Sequence, residues 1–186
     1  MSDPARDAAD EVRALPDSAI RARIVRLAFD GDEARYAAFV DALRAVVPPD
    51  VAVVLRGSAV TGYRWADGAR FDADGPGTSD LDLTFVGGTM LKLWEEFYIP
   101  GLHSVPLSDE HPDAAPTFVP LRRALCELTG RPVNIQATSD LVQYGRDVLL
   151  DQPYFTILGR DERTPEEHAR WAHDIERRRA ALEDAR

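Results

Sequence analysis

The chain has 186 residues, of which 45% are hydrophobic and 29% charged, a composition typical of a globular domain. Its 22 Lys and Arg residues against 32 Asp and Glu residues give a net charge of −10, which disfavours binding along an extended nucleic-acid backbone. The single cysteine, Cys126, excludes an internal disulfide, and we expect it to pack on a helix rather than act as a nucleophile. No apolar run reaches membrane-spanning length, so we expect a cytoplasmic protein without a membrane partner.

The first fifty residues show helical periodicity interrupted by breaker residues. Predicted helices extend to about residue 16, over 17–29 and over 33–46. Asp17 and Ser18 are the expected cap of the second helix, and Pro48-Pro49 ends the third. We expect one domain over 1–186, made of N-terminal helices (1–50), a core with the sheet (51–160) and a C-terminal helix (164–184).

Apolar and alternating segments after residue 50 predict a small mixed sheet flanked by helices. Predicted strands cover 51–55, 81–86, 132–138 and, as an edge strand, 154–158. Predicted helices cover 89–98, 118–129, 139–150 and 164–184, with loop at 65–78 and irregular chain at 100–116. The order of these elements predicts an α/β or mixed α+β fold.

A sharp turn is predicted directly after the first strand, at Gly57-Ser58. Glycine lets the backbone turn and approach a ligand closely, and the serine offers an N–H and a hydroxyl to a phosphate oxygen. A P-loop is excluded, because that motif requires Lys and then Ser or Thr after its last glycine, whereas Tyr63 and Arg64 follow Gly62.

The second strand begins with a pair of carboxylates, in the run Ser79-Asp80-Leu81-Asp82-Leu83. Side chains alternate between the faces of a strand, so Asp80 and Asp82 share one face while the leucines face the core. Two carboxylates this close repel each other unless a cation lies between them. Oxygen ligands in this arrangement suit Mg²⁺, which commonly binds triphosphates through one or two carboxylates.

A Gly-Ser turn followed by Ser-Asp-Leu-Asp-Leu on the next strand resembles the signature of the DNA polymerase β-like nucleotidyltransferase superfamily. The matching region spans about residues 51–86. The resemblance implies a nucleotidyltransferase fold in which Gly57, Ser58 and Ser79 contact a nucleoside triphosphate. Asp80 and Asp82 would be the catalytic metal ligands for up to two Mg²⁺ ions. The implied reaction moves a nucleoside monophosphate to an acceptor and releases pyrophosphate.

Two features depart from the family pattern. The first is the 21-residue segment 59–79 between Ser58 and Asp80, which is longer than usual and carries Arg64, a candidate ligand for a base or phosphate. The second is the absence of a third carboxylate on the 132–138 strand, where the neutral amides of Asn134 and Gln136 stand at the third-ligand position. The alternative carboxylates are Asp72, Asp74, Glu95, Glu96 and Asp140.

The leading hypothesis is therefore a nucleotidyltransferase acting on a small molecule, a protein or tRNA. The alternatives are a nucleotide-binding pseudoenzyme or regulatory module, favoured by the missing carboxylate, and a toxin–antitoxin-type nucleotidyltransferase.

Overall fold

The computed structural model of this chain describes residues 4–139 and 152–159. Three helices come first: α1 (Pro4–Ala14), α2 (Asp17–Ala28) and α3 (Glu33–Val46). The predicted third helix is confirmed, and Asp32 caps it by accepting hydrogen bonds from the N–H groups of Ala34 and Arg35. The predicted cap of the second helix is wrong: Pro16 holds the cap position in an extended conformation, and Asp17 lies in the first helical turn, where its charge faces the positive end of the helix.

Six strands of the described chain form one mixed sheet in the order β3-β4-β5-β2-β1-β6. Their bounds are β1 (Ala52–Arg56), β2 (Leu81–Val86), β3 (Phe97–Ile99), β4 (His103–Ser104), β5 (Val133–Thr138) and β6 (Tyr154–Leu158). Helix α4 (Ser58–Thr61) follows β1, and helix α5 (Val119–Thr129) precedes β5. Strand β1 pairs antiparallel with β2 and β6, whereas β5 is parallel to β2. The predicted edge strand is therefore confirmed as β6.

The structure differs from the sequence-based expectation around residues 89–116. The predicted helix over 89–98 is replaced by a short 3₁₀ turn (Met90–Leu93) and then β3, which forms a hairpin with β4 inside the segment expected to be irregular. Tertiary packing decides this outcome, because Trp94 is buried edge-on against Phe85 and stacks obliquely on Phe118. After Trp94, the aromatic and β-branched side chains of β3 favour an extended strand. A second 3₁₀ turn (Pro116–Phe118) leads into α5.

The fold is mixed α+β, as predicted, and its core lies between one face of the sheet and the helices. The core-facing side chains of the central strands are fully buried, among them Leu81, Leu83, Val133 and Ile135. The opposite face of the same strands carries Arg56, Asp82, Thr84, Asn134 and Gln136. The alternation along each strand thus places apolar groups against the helices and polar groups together on the other face.

Two predicted helices, 139–150 and 164–184, lie outside the described residues, apart from Ser139 itself. Within the described ranges, no helix has the length and apolar character needed to cross a membrane.

Candidate metal and nucleotide site

The carboxylate pair lies where strands β2 and β5 begin. Asp80 immediately precedes β2, and Asp82 is its second residue. In the parallel ladder Asp82 lies directly opposite Asn134, whose amide nitrogen Nδ2 donates to Asp80 Oδ2 at 2.7 Å and to Asp82 Oδ1 at 3.1 Å. One amide group therefore bridges both carboxylates. The structure brings together three of the residues that the sequence singled out.

Gln136 is placed differently from Asn134, although both point to the same face. Gln136 is buried two residues further along β5, opposite Thr84. Its Nε2 donates to Thr84 Oγ1 at 3.2 Å. Arg56 Nε donates to the same hydroxyl at 3.1 Å. The amide beside the carboxylates is thus that of Asn134, while Gln136 belongs to a buried polar cluster behind the site.

The turn between β1 and α4 comes close to the carboxylates. Gly57 has φ 79° and ψ −154°, a conformation available almost exclusively to glycine. A Cβ atom at this position would lie 3.4 Å from Asp82 Oδ2. The backbone conformation of the turn therefore requires glycine, while the 3.4 Å distance shows that the turn lies against the Asp82 carboxylate. Ser58 begins the four-residue helix α4.

A cleft of about 490 Å³ opens over Asp80 and Asn134. Its walls are formed by Ser58, Arg64, Asp74, Thr78, Ser79, Asp80, Pro106, Ser108, Asp109, Glu110, Pro132 and Asn134. Four carboxylates and one guanidinium make this cleft acidic. A bare triphosphate would be repelled here, whereas a divalent cation would be attracted and would offset much of the repulsion of a triphosphate bound to it.

Asp109 and Glu110 form a part of the cleft that sequence reasoning missed. They lie in the segment classed as irregular, where no periodicity places a residue near β2 and β5. Arg122 of α5 orients this wall, because its Nη2 donates to Asp109 Oδ1 at 2.7 Å and its Nε donates to the carbonyl of Val133 at 2.7 Å. The run Ser108-Asp109-Glu110 is polar and acidic, which is a feature of a candidate site. Nothing in the sequence, however, linked this run to the start of β2 and β5.

The long segment between Ser58 and Asp80 contributes one cation to the rim of the cleft. Arg64 Nη2 donates to Asp74 Oδ2 at 2.8 Å, and Arg64 Nε lies 3.3 Å from Asp67 Oδ1. Arg64 therefore lines the cleft, as its assignment to nucleotide binding requires, but it is held there by two acidic neighbours.

Asp72 does not line the cleft and binds Arg131. Burial by itself raises the pKa of Asp72, but hydrogen bonds from Arg131 and from the N–H groups of Ser79 and Gly77 outweigh that effect and hold the pKa below its usual value. The Ser79 hydroxyl accepts the N–H of Asp72 at 2.7 Å; this predicted nucleotide ligand also lines the cleft, and its O–H can still donate to a phosphate oxygen.

The other alternative carboxylates are separated by the fold. Asp74 lies on the cleft, whereas Glu95 and Glu96 do not line it. Glu96 instead lies 3.6 Å from His111 Nδ1. Asp140 lies outside the described residues. Over the described ranges, no cluster of three or more His, Cys, Asp or Glu side chains is arranged to bind a metal.

The donor atoms nevertheless fit one hard divalent cation that arrives with phosphate. Asp80 and Asp82 converge on a common point, now bridged by a hydrogen-bond donor, and Mg²⁺ often needs only one or two carboxylates beside substrate phosphates and water. Asn134 could supply a neutral oxygen in place of its N–H₂ group if the amide turned over.

Comparison of the chain with family models, curated proteins and solved structures gives no match. A functional assignment therefore depends on the motif resemblance and on the geometry of this cleft.

Proposed function

We propose that this protein binds a nucleoside triphosphate with Mg²⁺ in the cleft and transfers its nucleoside monophosphate to an acceptor. The observation that carries the proposal is the convergence of Asp80 and Asp82 on the Asn134 amide beside the Gly57-Ser58 turn. Of these residues, Asp80, Asn134 and Ser58 line the open cleft. The resemblance in motif order supports the same reaction.

The carboxylate pair, the Gly57-Ser58 turn and Arg64 have distinct parts in this proposal. Asp80 and Asp82 would hold the cation, which when bound would supply positive charge against the phosphate oxygens. Gly57 lets the backbone approach the phosphates, and the Ser58 hydroxyl donates to a phosphate oxygen. Arg64 adds a positive charge at the rim once its contact with Asp74 is exchanged for the nucleotide.

The proposed transfer forms one bond and breaks one bond. An acceptor oxygen attacks the α-phosphorus, and the bond from that phosphorus to the bridging oxygen breaks, so pyrophosphate leaves with the electron pair. The acceptor proton must pass to a base. Asp109 and Glu110 offer carboxylates on the facing wall of the cleft, whereas the amide of Asn134 cannot accept a proton at neutral pH.

Binding without transfer is the second candidate, and Asn134 is the observation that favours it. An amide beside Asp80 and Asp82 leaves the site with two negative charges where the resemblance implies three. If the protein is a binding module, Asn134→Asp is expected to create transfer activity. If it is already an enzyme, the added charge is expected to leave the rate unchanged or lower it.

The test measures Mg²⁺-dependent triphosphate binding by calorimetry and transfer by release of labelled pyrophosphate. Small molecules, protein and tRNA serve as acceptors. Asp82→Ala is the informative variant, and Asp41→Ala is the matched control, since Asp41 is an exposed carboxylate that pairs with Arg44 on α3. Binding and turnover that vanish only in Asp82→Ala support the enzyme, and binding without turnover supports the module. Equal binding in wild type and Asp82→Ala would refute the site.

A further inference from the structure

A single buried guanidinium holds the segment that leads into the carboxylate pair. Arg131, between α5 and β5, donates through Nη1 to Asp72 Oδ1 at 2.9 Å and to the carbonyl of Ser79 at 3.0 Å. Its Nη2 donates to Asp72 Oδ2 at 3.2 Å and to the carbonyl of Leu27 at 3.4 Å. The guanidinium also lies over the Phe71 ring, 4.7 Å from its centroid.

Asp72, the partner of Arg131, also binds the backbone of the turn before Asp80. Its Oδ1 accepts the N–H of Ser79 at 2.9 Å, and its Oδ2 accepts the N–H of Gly77 at 3.0 Å. Its own N–H is bound by the Ser79 hydroxyl, and its φ of 57° is unusual for a residue other than glycine. The Asp72 carboxylate therefore accepts four hydrogen bonds, two from the turn and two from the Arg131 guanidinium.

These contacts reach both strands of the site. Ser79 immediately precedes Asp80, and Arg131 precedes β5, which carries Asn134. The Leu81 N–H donates to the Pro132 carbonyl at 2.9 Å, which joins the two strands just beyond the guanidinium. A displacement of Ser79 must move Asp80, whereas Asp82 is held within the ladder between β1 and β5.

We infer that Asp72 and Arg131 are positioning residues that fix Asp80 relative to Asp82 and so set the affinity of the pair for a divalent cation. The inference rests on the proposed function. The long segment 59–79 then has a role in the site. Its residue Asp72 pairs with the buried Arg131, and this pair orients Asp80.

The fork geometry of the guanidinium is essential to this role. Arginine presents several donors in a fixed plane, and here two nitrogens contact Asp72 while one of them also holds Ser79. A lysine ammonium keeps the charge but cannot reach all of these acceptors. Arg131→Lys therefore separates the positioning role from charge alone.

The experiment compares Mn²⁺ affinity in wild type, Arg131→Lys and Arg35→Lys by titration of Mn²⁺, alone and with inorganic triphosphate present, at a temperature where circular dichroism shows each protein folded. Arg35 is the matched control, because it also joins a carboxylate (Asp30) and a backbone carbonyl (Leu128) but does not line the cleft or hold Ser79. Hydrogen exchange of the amides at Gly77 and Ser79 reports the turn itself.

We expect Arg131→Lys to weaken Mn²⁺ binding at least tenfold and to accelerate exchange at Gly77 and Ser79, while Arg35→Lys keeps both near wild type. If Arg131→Lys does not fold, Asp72→Asn takes its place, with the same expectation. Wild-type Mn²⁺ affinity in the folded variant would overturn the positioning role alone. Absence of Mn²⁺ binding to wild type, both alone and with inorganic triphosphate present, would overturn the proposed function and this inference together.

Discussion

Asn134→Asp places a third carboxylate against Asp80 and Asp82. The amide that now attracts both groups, at 2.7 and 3.1 Å, becomes a negative charge at similar distances. Under water-like screening, unit charges at separations of 2.7 and 3.1 Å repel by roughly 1.5 and 1.3 kcal/mol, about 3 kcal/mol together. Side-chain rotation relieves part of this repulsion, so we expect a loss of about 2–3 kcal/mol relative to Asn134→Ala, which lacks the same hydrogen bonds but adds no charge.

Urea unfolding at pH 8 without divalent cation measures this difference. With a urea slope of about 2 kcal/mol per molar, the unfolding midpoint of Asn134→Asp should lie about 1–1.5 M below that of Asn134→Ala. Saturating Mg²⁺ should close or reverse the gap, because the cation binds the folded variant.

Equal midpoints for the two variants, unaffected by Mg²⁺, would show that Asn134 does not lie between two ionised carboxylates. The site described here would then be wrong in its central contact.

Three further predictions concern the turns around the site. Ser58→Ala should weaken Mg²⁺–triphosphate binding by about 1.5–3 kcal/mol in calorimetry, the contribution of one hydrogen bond to a charged group, and unchanged affinity would exclude that bond. Gly57→Val should lower the free energy of unfolding by about 1–3 kcal/mol, because only glycine readily adopts its φ of 79°, and should abolish triphosphate binding; a variant that melts and binds like wild type would contradict this reading of the turn. The lowered pKa of Asp72 means that its stabilisation is present above the unfolded pKa of about 3.9 and is lost as the pH falls through the folded value. The difference in urea midpoint between wild type and Asp72→Asn should therefore shrink between pH 7 and pH 3, and a constant difference would argue against an ionised Asp72.

Local sequence determined the elements whose signals are short in range. The bounds of β2 and α3 were predicted from periodicity and breakers, because each buries one continuous apolar face. The alternation along β2 also predicted that Asp82 lies on the opposite face of the strand from the core-facing Leu81 and Leu83. The sequence also predicted a sharp turn at Gly57. The positive φ of this residue explains why glycine is needed there.

Only the tertiary structure decided how distant polar groups meet. Asn134 and Gln136 have the same alternation and the same chemistry, yet the parallel register sets Asn134 opposite Asp82 and Gln136 opposite Thr84. From the sequence, Asp72 was a candidate for the missing third carboxylate. In the fold it pairs with Arg131, which is 59 positions away in the chain. Likewise, the burial of Trp94 replaced a predicted helix with a turn and a strand. Local patterns specify which face a side chain takes, whereas its partner depends on strand register and loop packing, which are set by contacts between residues far apart in the chain.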